Sequence, residues 1–282
     1  MSIGVFDSGV GGLTVHRALT ACLPRADFVY LADQAHVPYG ARSGEDIVRL
    51  TQAGCERLFA AGCNLIVLAC NTASAVALRR LQQLWLPEMR QELGRAVNVL
   101  GIIVPTIEVA TGRAWGDVHA APSASENPQT LGIFATPATA RSGVYEIEIA
   151  KRRKSLSVYT EPCPELAGLI EQGANAATLT AAIAKHFAAL LGRIGRAPDK
   201  AILGSTHYEV AAEIFREVLP RGVDVIRQPS ATANALQAYL THHPEYNIGV
   251  SGARRFLTTG RPGAQHELVV KYWGGPVSFE AL

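Results

Sequence analysis

The first residue with evident chemical potential is a cysteine that directly follows an apolar run. Residues 65–69 are continuously apolar, as in strands covered on both faces, and Cys70 comes next, followed by Asn71 and Thr72. Asn and Thr suit the start of a helix, and a thiol at a helix N-terminus has its thiolate favoured by the helix dipole. Cys70 is therefore a candidate base, although a free cysteine beside a strand is also a common packing residue.

An internal repeat places a second set of polar residues in the same position. Residues 3–8 are echoed by residues 131–136, and residues 66–72 are echoed by residues 201–207. In each segment an apolar run ends in polar residues, where a helix is expected to begin. Ligands of open α/β sheets bind beyond the carboxyl ends of the strands. The repeat therefore predicts two similar α/β halves whose polar strand ends face one ligand.

Three further residues of these segments could take part in acid–base chemistry. Asp7 follows the first strand in a glycine-rich turn, and Ser205 and His207 follow the last repeated strand. Asp7 could instead cap the next helix, and His207 could be a structural imidazole near a helix start. A serine hydrolase is disfavoured because the sequence around Ser205 lacks the second glycine of the G-x-S-x-G elbow. The eight histidines are scattered without metal-ligand spacing, so we expect no metal ion.

Alternating strands and helices are predicted to position these residues. Short apolar runs alternate with longer amphipathic stretches at the spacing of βαβ units, which indicates an α/β fold with mainly parallel sheets. Ser43 is the predicted N-cap of a long helix, and residues 115–130, with their Pro, Ser, Asn and Asp residues, are the predicted surface loop. Strands are predicted at 3–6, 28–31 and 65–69, and helices at 13–23, 44–61 and 73–84.

The composition excludes several classes of protein. The chain has 282 residues, of which 48% are hydrophobic and 18% charged, so it can bury a core and is neither disordered nor collagen-like. Its net charge of +2 gives no reason to expect a nucleic-acid or membrane partner. The five cysteines are odd in number and form no C-x-x-C pair, which is typical of reduced thiols. Because neither a signal peptide nor a membrane span is apparent, we expect a cytoplasmic protein.

Eight segments of the chain resemble, in the same order, motifs of the bacterial glutamate racemases. The resemblance covers most of the chain and uses several independent motifs, so it is specific. The segments are residues 7–13, 37–40, 70–73, 136–145, 163–164, 169–173, 206–208 and 256–260.

The resemblance implies two pseudo-symmetric α/β domains with mainly parallel central sheets and an active site in the cleft between them. The second domain would be inserted in the first, with residues 1–94 and 223–282 in one domain and residues 95–222 in the other. The implied activity is cofactor-independent interconversion of L- and D-glutamate, which supplies D-glutamate for peptidoglycan synthesis. The implied partner is a small-molecule substrate, and homodimers are common in the family.

Racemisation without a cofactor requires a base on each face of the α-carbon, because one group removes the proton while another delivers a proton to the opposite face. By resemblance, Cys70 takes the α-proton of D-glutamate and Asp7 and His207 assist the two bases. Glu171 would be a further acidic residue near the second base. The resemblance also implies that substrate is held largely by backbone amides and hydroxyl groups. The implied binding residues are Ser8, Pro38, Tyr39, Gly40, Asn71, Thr72, Thr136, Thr139 and Thr206.

One position departs from the family pattern, since these racemases have a second cysteine where this chain has Ser205. A serine hydroxyl is much less acidic than a thiol and is a poor base at neutral pH unless a neighbour such as His207 activates it. We therefore expect impaired racemisation. An engineered Cys→Ser change and a natural single-thiol homologue are the two interpretations. Alternative functions are a single-thiol racemase or lyase acting on another acidic substrate, and a non-catalytic protein that binds acidic amino acids.

Overall fold

The computed structural model describes residues 1–114 and 128–282. The strands are β1 (Ser2–Asp7), β2 (Phe28–Ala32), β3 (Cys63–Leu68), β4 (Asn98–Gly101), β5 (Gln129–Ala135), β6 (Leu156–Pro162), β7 (Lys200–Gly204), β8 (Asp224–Ile226), β9 (Arg254–Thr258) and β10 (Glu280–Ala281). The α-helices are α1 (Leu13–Cys22), α2 (Gly44–Ala60), α3 (Asn71–Val76), α4 (Leu78–Arg80), α5 (Leu86–Leu93), α6 (Ile103–Thr111), α7 (Pro137–Ser142), α8 (Val144–Arg152), α9 (Leu166–Glu171), α10 (Ala176–Ile194), α11 (Ala212–Val218), α12 (Gln228–His242) and α13 (His266–Trp273).

Contacts divide the chain into two compact units. The first unit is Met1–Ile102 with Pro229–Leu282, and the second is Ile103–Gln228. The predicted boundaries, after residues 94 and 222, fall a few residues before these two crossing points. Backbone pairing accounts for the difference, because β4 pairs with β3 in the first unit and β8 pairs with β7 in the second.

The first unit contains a six-stranded parallel sheet in the order β10-β9-β2-β1-β3-β4. Strands β1, β2 and β3 are buried along nearly their whole length, which explains their continuous apolar sequences. The strands predicted at 3–6, 28–31 and 65–69 are therefore confirmed. Because all strands run in parallel, the last residue of β1, Asp7, lies at the same edge of the sheet as Asp33 and Cys70, which follow β2 and β3.

The second unit contains a four-stranded parallel sheet in the order β6-β5-β7-β8. This order matches β2-β1-β3-β4 of the first unit strand for strand. The two strands of the sequence repeat, β5 and β7, occupy the places of β1 and β3. The predicted α/β fold with two similar halves is thereby confirmed.

The helices agree with the sequence predictions with one exception. Ser43 caps α2 as expected, since its hydroxyl accepts a hydrogen bond from the Asp46 amide at 3.2 Å. The helix predicted at 73–84 is instead interrupted, because α3 and α4 are followed by a π-helical turn at Leu81–Trp85 just before Pro87, which has no amide hydrogen to donate. Within the loop predicted at 115–130, residues 115–127 lie outside the described residues and the last two residues already belong to β5. Within the described ranges no helix is long and apolar enough to cross a membrane.

Candidate active site

Cys70 occupies the junction between a strand and a helix, as the sequence predicts. It follows β3 and is the N-cap of α3, where its sulfur accepts a hydrogen bond from the Ala73 amide at 3.4 Å. The Ser8 hydroxyl lies 3.4 Å from the same sulfur. Cys70 is buried, with only 5% of its surface exposed. Cys70 therefore has a fixed position with a hydroxyl and an amide directed at its sulfur.

The protonation state of this thiol is set mainly by burial. Burial raises the pKa of the Cys70 thiol to about 11, and the nearby Asp7 carboxylate raises this pKa further, while the hydrogen bonds from Ser8 and Ala73 oppose the shift. The helix N-terminus favours the thiolate, as the sequence predicts, but its effect on the pKa of Cys70 is smaller than that of burial. Cys70 is thus a protonated thiol at neutral pH, which suits the delivery of a proton.

Asp7 lies at the end of β1 and is completely buried. Its Oδ2 accepts a hydrogen bond from the Gly9 amide at 3.1 Å. A Cβ atom at Gly12 would come within 2.6 Å of the Asp7 Cβ, so only glycine at position 12 leaves room for this side chain. The N-cap of α1 is Gly12, so the alternative in which Asp7 caps that helix is wrong. Asp7 is held by its own turn next to Cys70.

The segment from Pro38 to Gly40 is anchored by the side chain of Tyr39. The Tyr39 ring is 2% exposed, and its hydroxyl donates a hydrogen bond to Asp33 Oδ2 at 2.6 Å. Burial and then the Asp33 carboxylate raise the pKa of Tyr39, and the charge of Asp7 also contributes. The sequence analysis missed Asp33, although a carboxylate directly after an apolar strand is the same signal that pointed to Asp7.

Two further candidates, Asn71 and Thr72, form the first turn of α3 and are both buried. Ser8, also buried, follows β1 and contacts the Cys70 sulfur. The structure thus brings the candidate residues of the first unit together around the ends of β1 and β3.

In the second unit, Ser205 occupies the position equivalent to Cys70. It follows β7 and is 4% exposed. The segment after it is a 3-10 helix at Thr206–Ala211, and within the described chain the Ser205 side chain makes no capping hydrogen bond. The Ser205 hydroxyl is therefore not committed to the helix start in the way that the Cys70 sulfur is. Thr206, another candidate, is buried beside it.

A hydrogen bond links His207 and Glu171, the two acid–base candidates of the second unit other than Ser205. His207 lies in the 3-10 helix, and its Nε2 is 2.9 Å from Oε1 of Glu171, the last residue of α9. Since a carboxylate only accepts hydrogen bonds, His207 donates through Nε2. The contact joins two residues that are 36 positions apart in the chain and that the motif resemblance named separately.

Two threonines form the start of α7, after β5. The Thr136 hydroxyl accepts a hydrogen bond from the Thr139 amide at 3.3 Å and donates to the Thr139 hydroxyl at 3.0 Å. This arrangement is a typical N-cap, with Pro137 at the first helical position. It leaves hydroxyl groups at the carboxyl end of the second sheet, where the resemblance places substrate-binding residues.

Cys163 does not take the place of the missing second thiol. Its sulfur donates to the Glu161 carbonyl at 3.5 Å, and burial raises the pKa of its thiol well above the ordinary range. The neighbouring charge cluster was not anticipated from the sequence: both ring nitrogens of His186 contact glutamate oxygens, Glu161 at 3.0 Å and Glu165 at 3.1 Å. Over residues 1–114 and 128–282, no group of three His, Cys, Asp or Glu side chains could hold a metal ion.

The fold and these motifs agree with a comparison against known families. The family model for Asp/Glu/hydantoin racemases matches residues 13–236. The chain belongs to this family. A glutamate racemase of Phenylobacterium zucineum is 65% identical over 283 residues, which cover 99% of each chain. The resemblance to glutamate racemases drawn from the motifs is therefore confirmed.

Solved structures of family members have the same fold. The glutamate racemase RacE1 of Bacillus anthracis matches with a TM-score of 0.84 and 28% identity, covering 100% of this chain and 97% of that one. A glutamate racemase of Francisella tularensis, solved in complex with D-glutamate, matches with a TM-score of 0.80 and 26% identity, also covering 100% and 97%. Members of the family with solved structures thus share the α/β architecture of this racemase homologue over its whole length.

Proposed function

We propose that this protein acts on glutamate by removing and returning its α-proton, and that Ser205 makes complete racemisation slow. The observation that carries the proposal is the Cys70 thiol, buried at a strand end beside Ser8 and Asp7. The full-length similarity to a protein named glutamate racemase supports glutamate as the substrate. So does the D-glutamate complex of the Francisella tularensis relative.

Cys70 is our candidate for the acid–base group on one face of the α-carbon of glutamate. Its raised pKa suits a thiol that delivers a proton, and the same group must be deprotonated to remove the α-proton of D-glutamate. Hydrogen bonds from the Ser8 hydroxyl and the Ala73 amide favour the thiolate and therefore assist that step. Asp7 disfavours the thiolate and so promotes proton delivery from sulfur.

Ser205 is our candidate for the acid–base group on the opposite face. The glutamate racemases that the motifs resemble have a second thiol at this position. Its hydroxyl is a far weaker acid than a thiol, so it rarely exists in the deprotonated form at neutral pH. His207, which contacts Glu171, is two residues beyond Ser205 in the chain. We propose that this pair gives Ser205 a low but measurable ability to exchange protons with substrate. Glutamate binding is assigned to the hydroxyl and amide groups named above.

Proton exchange in heavy water tests the proposal directly. D-glutamate and L-glutamate are incubated separately with the protein, and the α-proton signal and the enantiomer ratio are followed by NMR and chiral chromatography. We expect deuterium to enter D-glutamate through Cys70 much faster than either enantiomer is converted into the other. The Cys70→Ala variant is expected to lose this exchange. Persistence of the α-proton signal of D-glutamate after long incubation with the unmodified protein would overturn the proposal.

A second candidate function is binding of an acidic amino acid without catalysis. The observation that favours it is Ser205 itself, which removes one of the two bases from an otherwise complete set of motifs. The heavy-water experiment separates the two functions, because a binding protein would bind glutamate and leave its α-proton in place. A lyase or racemase acting on another acidic substrate would show exchange with that substrate in a panel of acidic amino acids.

The cellular setting follows from the proposed activity. We propose that the protein works in the cytoplasm and supplies D-glutamate for peptidoglycan synthesis. The support is the similarity to named glutamate racemases together with five free cysteines, which suit a reducing compartment. Family resemblance also suggests a homodimer.

A further inference from the structure

The C-terminal motif at 256–260 has no role in the chemistry described above, yet it contacts the loop that carries Tyr39. The link is the carboxylate of Asp33, which is only 3% exposed. Its Oδ2 accepts the Tyr39 hydroxyl at 2.6 Å, and its Oδ1 accepts the Thr259 hydroxyl at 2.8 Å and His36 Nδ1 at 2.8 Å. A buried carboxylate depends strongly on such donors. The Asp33 carboxylate therefore fixes the side chains of Tyr39, Thr259 and His36 relative to one another.

Thr259 is attached to this loop at three points. Besides donating to Asp33, its hydroxyl accepts a hydrogen bond from the Ala35 amide at 3.1 Å. Its own amide donates to the Ala32 carbonyl at 3.1 Å, which continues the pairing of β9 with β2. The next residue, Gly260, packs closely, because a Cβ atom there would come within 2.8 Å of the Gln34 Cβ. Strand β9 thus ends directly on the residues that lead into the Tyr39 segment.

The other end of this network lies at the candidate site. Tyr39 is buried, its ring centroid is 6.3 Å from that of Phe6, which directly precedes Asp7, and the charge of Asp7 acts on its hydroxyl. The amide of Arg42, at the far end of the same loop, donates to the Tyr39 carbonyl at 3.0 Å. A displacement of Tyr39 therefore changes the loop on both sides of Gly40.

We propose that Thr259 is a positioning residue for substrate binding, which acts through Asp33 and Tyr39 on the segment from Pro38 to Gly40. The inference rests on the proposed function, because it assigns that segment to glutamate. Thr259 itself does not touch the reacting atoms. Its hydroxyl keeps the Asp33 carboxylate oriented so that Oδ2 receives the Tyr39 hydroxyl.

Two substitutions separate the hydroxyl from the shape of the side chain. Thr259→Val keeps the branched shape and removes the hydroxyl, whereas Thr259→Ser keeps the hydroxyl. Thr241→Val is the matched control, because the Thr241 hydroxyl donates only a helical hydrogen bond to the Gln237 carbonyl in α12. All three variants are compared with the unmodified protein.

The first measurement is amide hydrogen exchange without any ligand. We expect the Arg42 amide, which does not contact Thr259, to exchange at least about fivefold faster in Thr259→Val, since a weakened loop opens more often. Exchange in β1 should stay unchanged, which distinguishes a local effect from general destabilisation. Thr259→Ser and Thr241→Val should match the unmodified protein. Unchanged exchange at Arg42 in Thr259→Val would overturn the inference, whether or not the protein acts on glutamate.

The second measurement is calorimetric titration with D-glutamate. We expect binding to be about tenfold weaker in Thr259→Val, the size of effect that loss of one charge-assisted hydrogen bond produces, and unchanged in Thr259→Ser. In the Ser205→Cys background, Thr259→Val should raise KM for D-glutamate with kcat within about twofold, which indicates lost binding in ground and transition state alike. Equal affinity of the Val and Ser variants would also overturn the inference. If the unmodified protein binds no D-glutamate, the proposed function fails, and the exchange measurement still decides whether Thr259 holds the loop.

Discussion

The end of β3 in the first unit and the equivalent end of β7 in the second differ in how they surround their ionisable groups. In the first unit, burial is the dominant influence, since it raises the pKa of Cys70 to about 11 and lowers the pKa of His16 to about 3. After β7 in the second unit, the imidazole of His207 lies against the Glu171 carboxylate. One strand order therefore supports two environments, since a buried thiol accepts hydrogen bonds after β3 and an imidazole donates a hydrogen bond to a carboxylate after β7.

The largest test of this comparison is to place a thiol at position 205, which is equivalent to Cys70. We expect Ser205→Cys to raise the rate of glutamate racemisation about 10²- to 10⁴-fold, the range associated with a positioned acid–base group. The rate is measured by chiral chromatography in both directions. Ser157→Cys, which adds a thiol on the exposed side of β6, is the control and should leave the rate unchanged. Equal turnover of the unmodified protein and the Ser205→Cys variant would contradict our assignment of the second base.

The apolar character of the first unit predicts an acid-sensitive stability. His16 is fully buried among aromatic rings, with Trp273 stacked at 5.0 Å, and neither ring nitrogen has a hydrogen-bond partner among the described residues. Burial, and to a smaller extent Arg254, lowers the pKa of His16 from 6.5 to about 3. Between these two pH values the unfolded chain binds a proton that the folded protein excludes, so stability falls as the pH drops below 6.5.

Replacing His16 with leucine should remove this contribution. Relative to its value at pH 7, the free energy of unfolding of His16→Leu should fall less by pH 4.5 than that of the unmodified protein, by about 3 kcal/mol. The measurement is urea unfolding of both proteins at the two pH values. The difference between the proteins isolates His16 from the carboxylates, which titrate in both. Parallel loss of stability in the two proteins would show that the imidazole is not held neutral by burial.

A smaller effect is expected from the space that Asp7 occupies. Gly12→Ala should force the Asp7 side chain to move, because the added Cβ would lie 2.6 Å from the Asp7 Cβ. We expect a loss of about 1–3 kcal/mol in the free energy of unfolding, together with slower α-proton exchange at D-glutamate. Gly192→Ala in α10 is the matched control, since nothing lies within 4 Å of a Cβ there, and it should be neutral or stabilising. Similar losses in the two variants would refute a specific conflict with Asp7.

The smallest predicted effect concerns the charge next to Cys70. Because Asp7 raises the pKa of the Cys70 thiol, Asp7→Asn should lower this pKa and increase the thiolate fraction at pH 8. We expect alkylation of Cys70 by iodoacetamide to be about three- to tenfold faster, as followed by peptide mass spectrometry. Cys55, which is buried elsewhere in the same unit, is the internal reference and should react equally slowly in both proteins. Slower alkylation of Cys70 in the variant would contradict the assigned direction.

Much of the fold could be predicted from local sequence because its signals are local. The apolar runs at β1, β2 and β3 and the Ser43 cap of α2 depend on neighbouring residues, and the structure confirms them. The interruption before Pro87 was not predicted, because the apolar periodicity continues through the π-helical turn. The observed domain boundaries also differ from those predicted after residues 94 and 222, because β4 pairs with β3 and β8 pairs with β7. Such pairing depends on distant parts of the chain.

For the candidate site, the sequence identified residue types and the structure supplied their surroundings. Cys70 and Ser205 were found from the repeat and the motifs, because polar residues after apolar strands are visible without coordinates. The contact between Asp33 and Thr259 could not be derived from local sequence, since the two residues are 226 positions apart in the chain. The contact between Glu171 and His207 was likewise not derivable from spacing.

The sequence by itself determined the α/β class, the family and the single-thiol departure at Ser205. Only the tertiary structure decided the protonation preference of Cys70, because the pKa of a thiol depends on how completely its surroundings exclude water, and residues from distant chain segments contribute to that exclusion. Only the tertiary structure joined Thr259 to Tyr39 through Asp33. Hydrogen bonds between distant residues depend on the order in which strands pair, and that order cannot be predicted from local sequence.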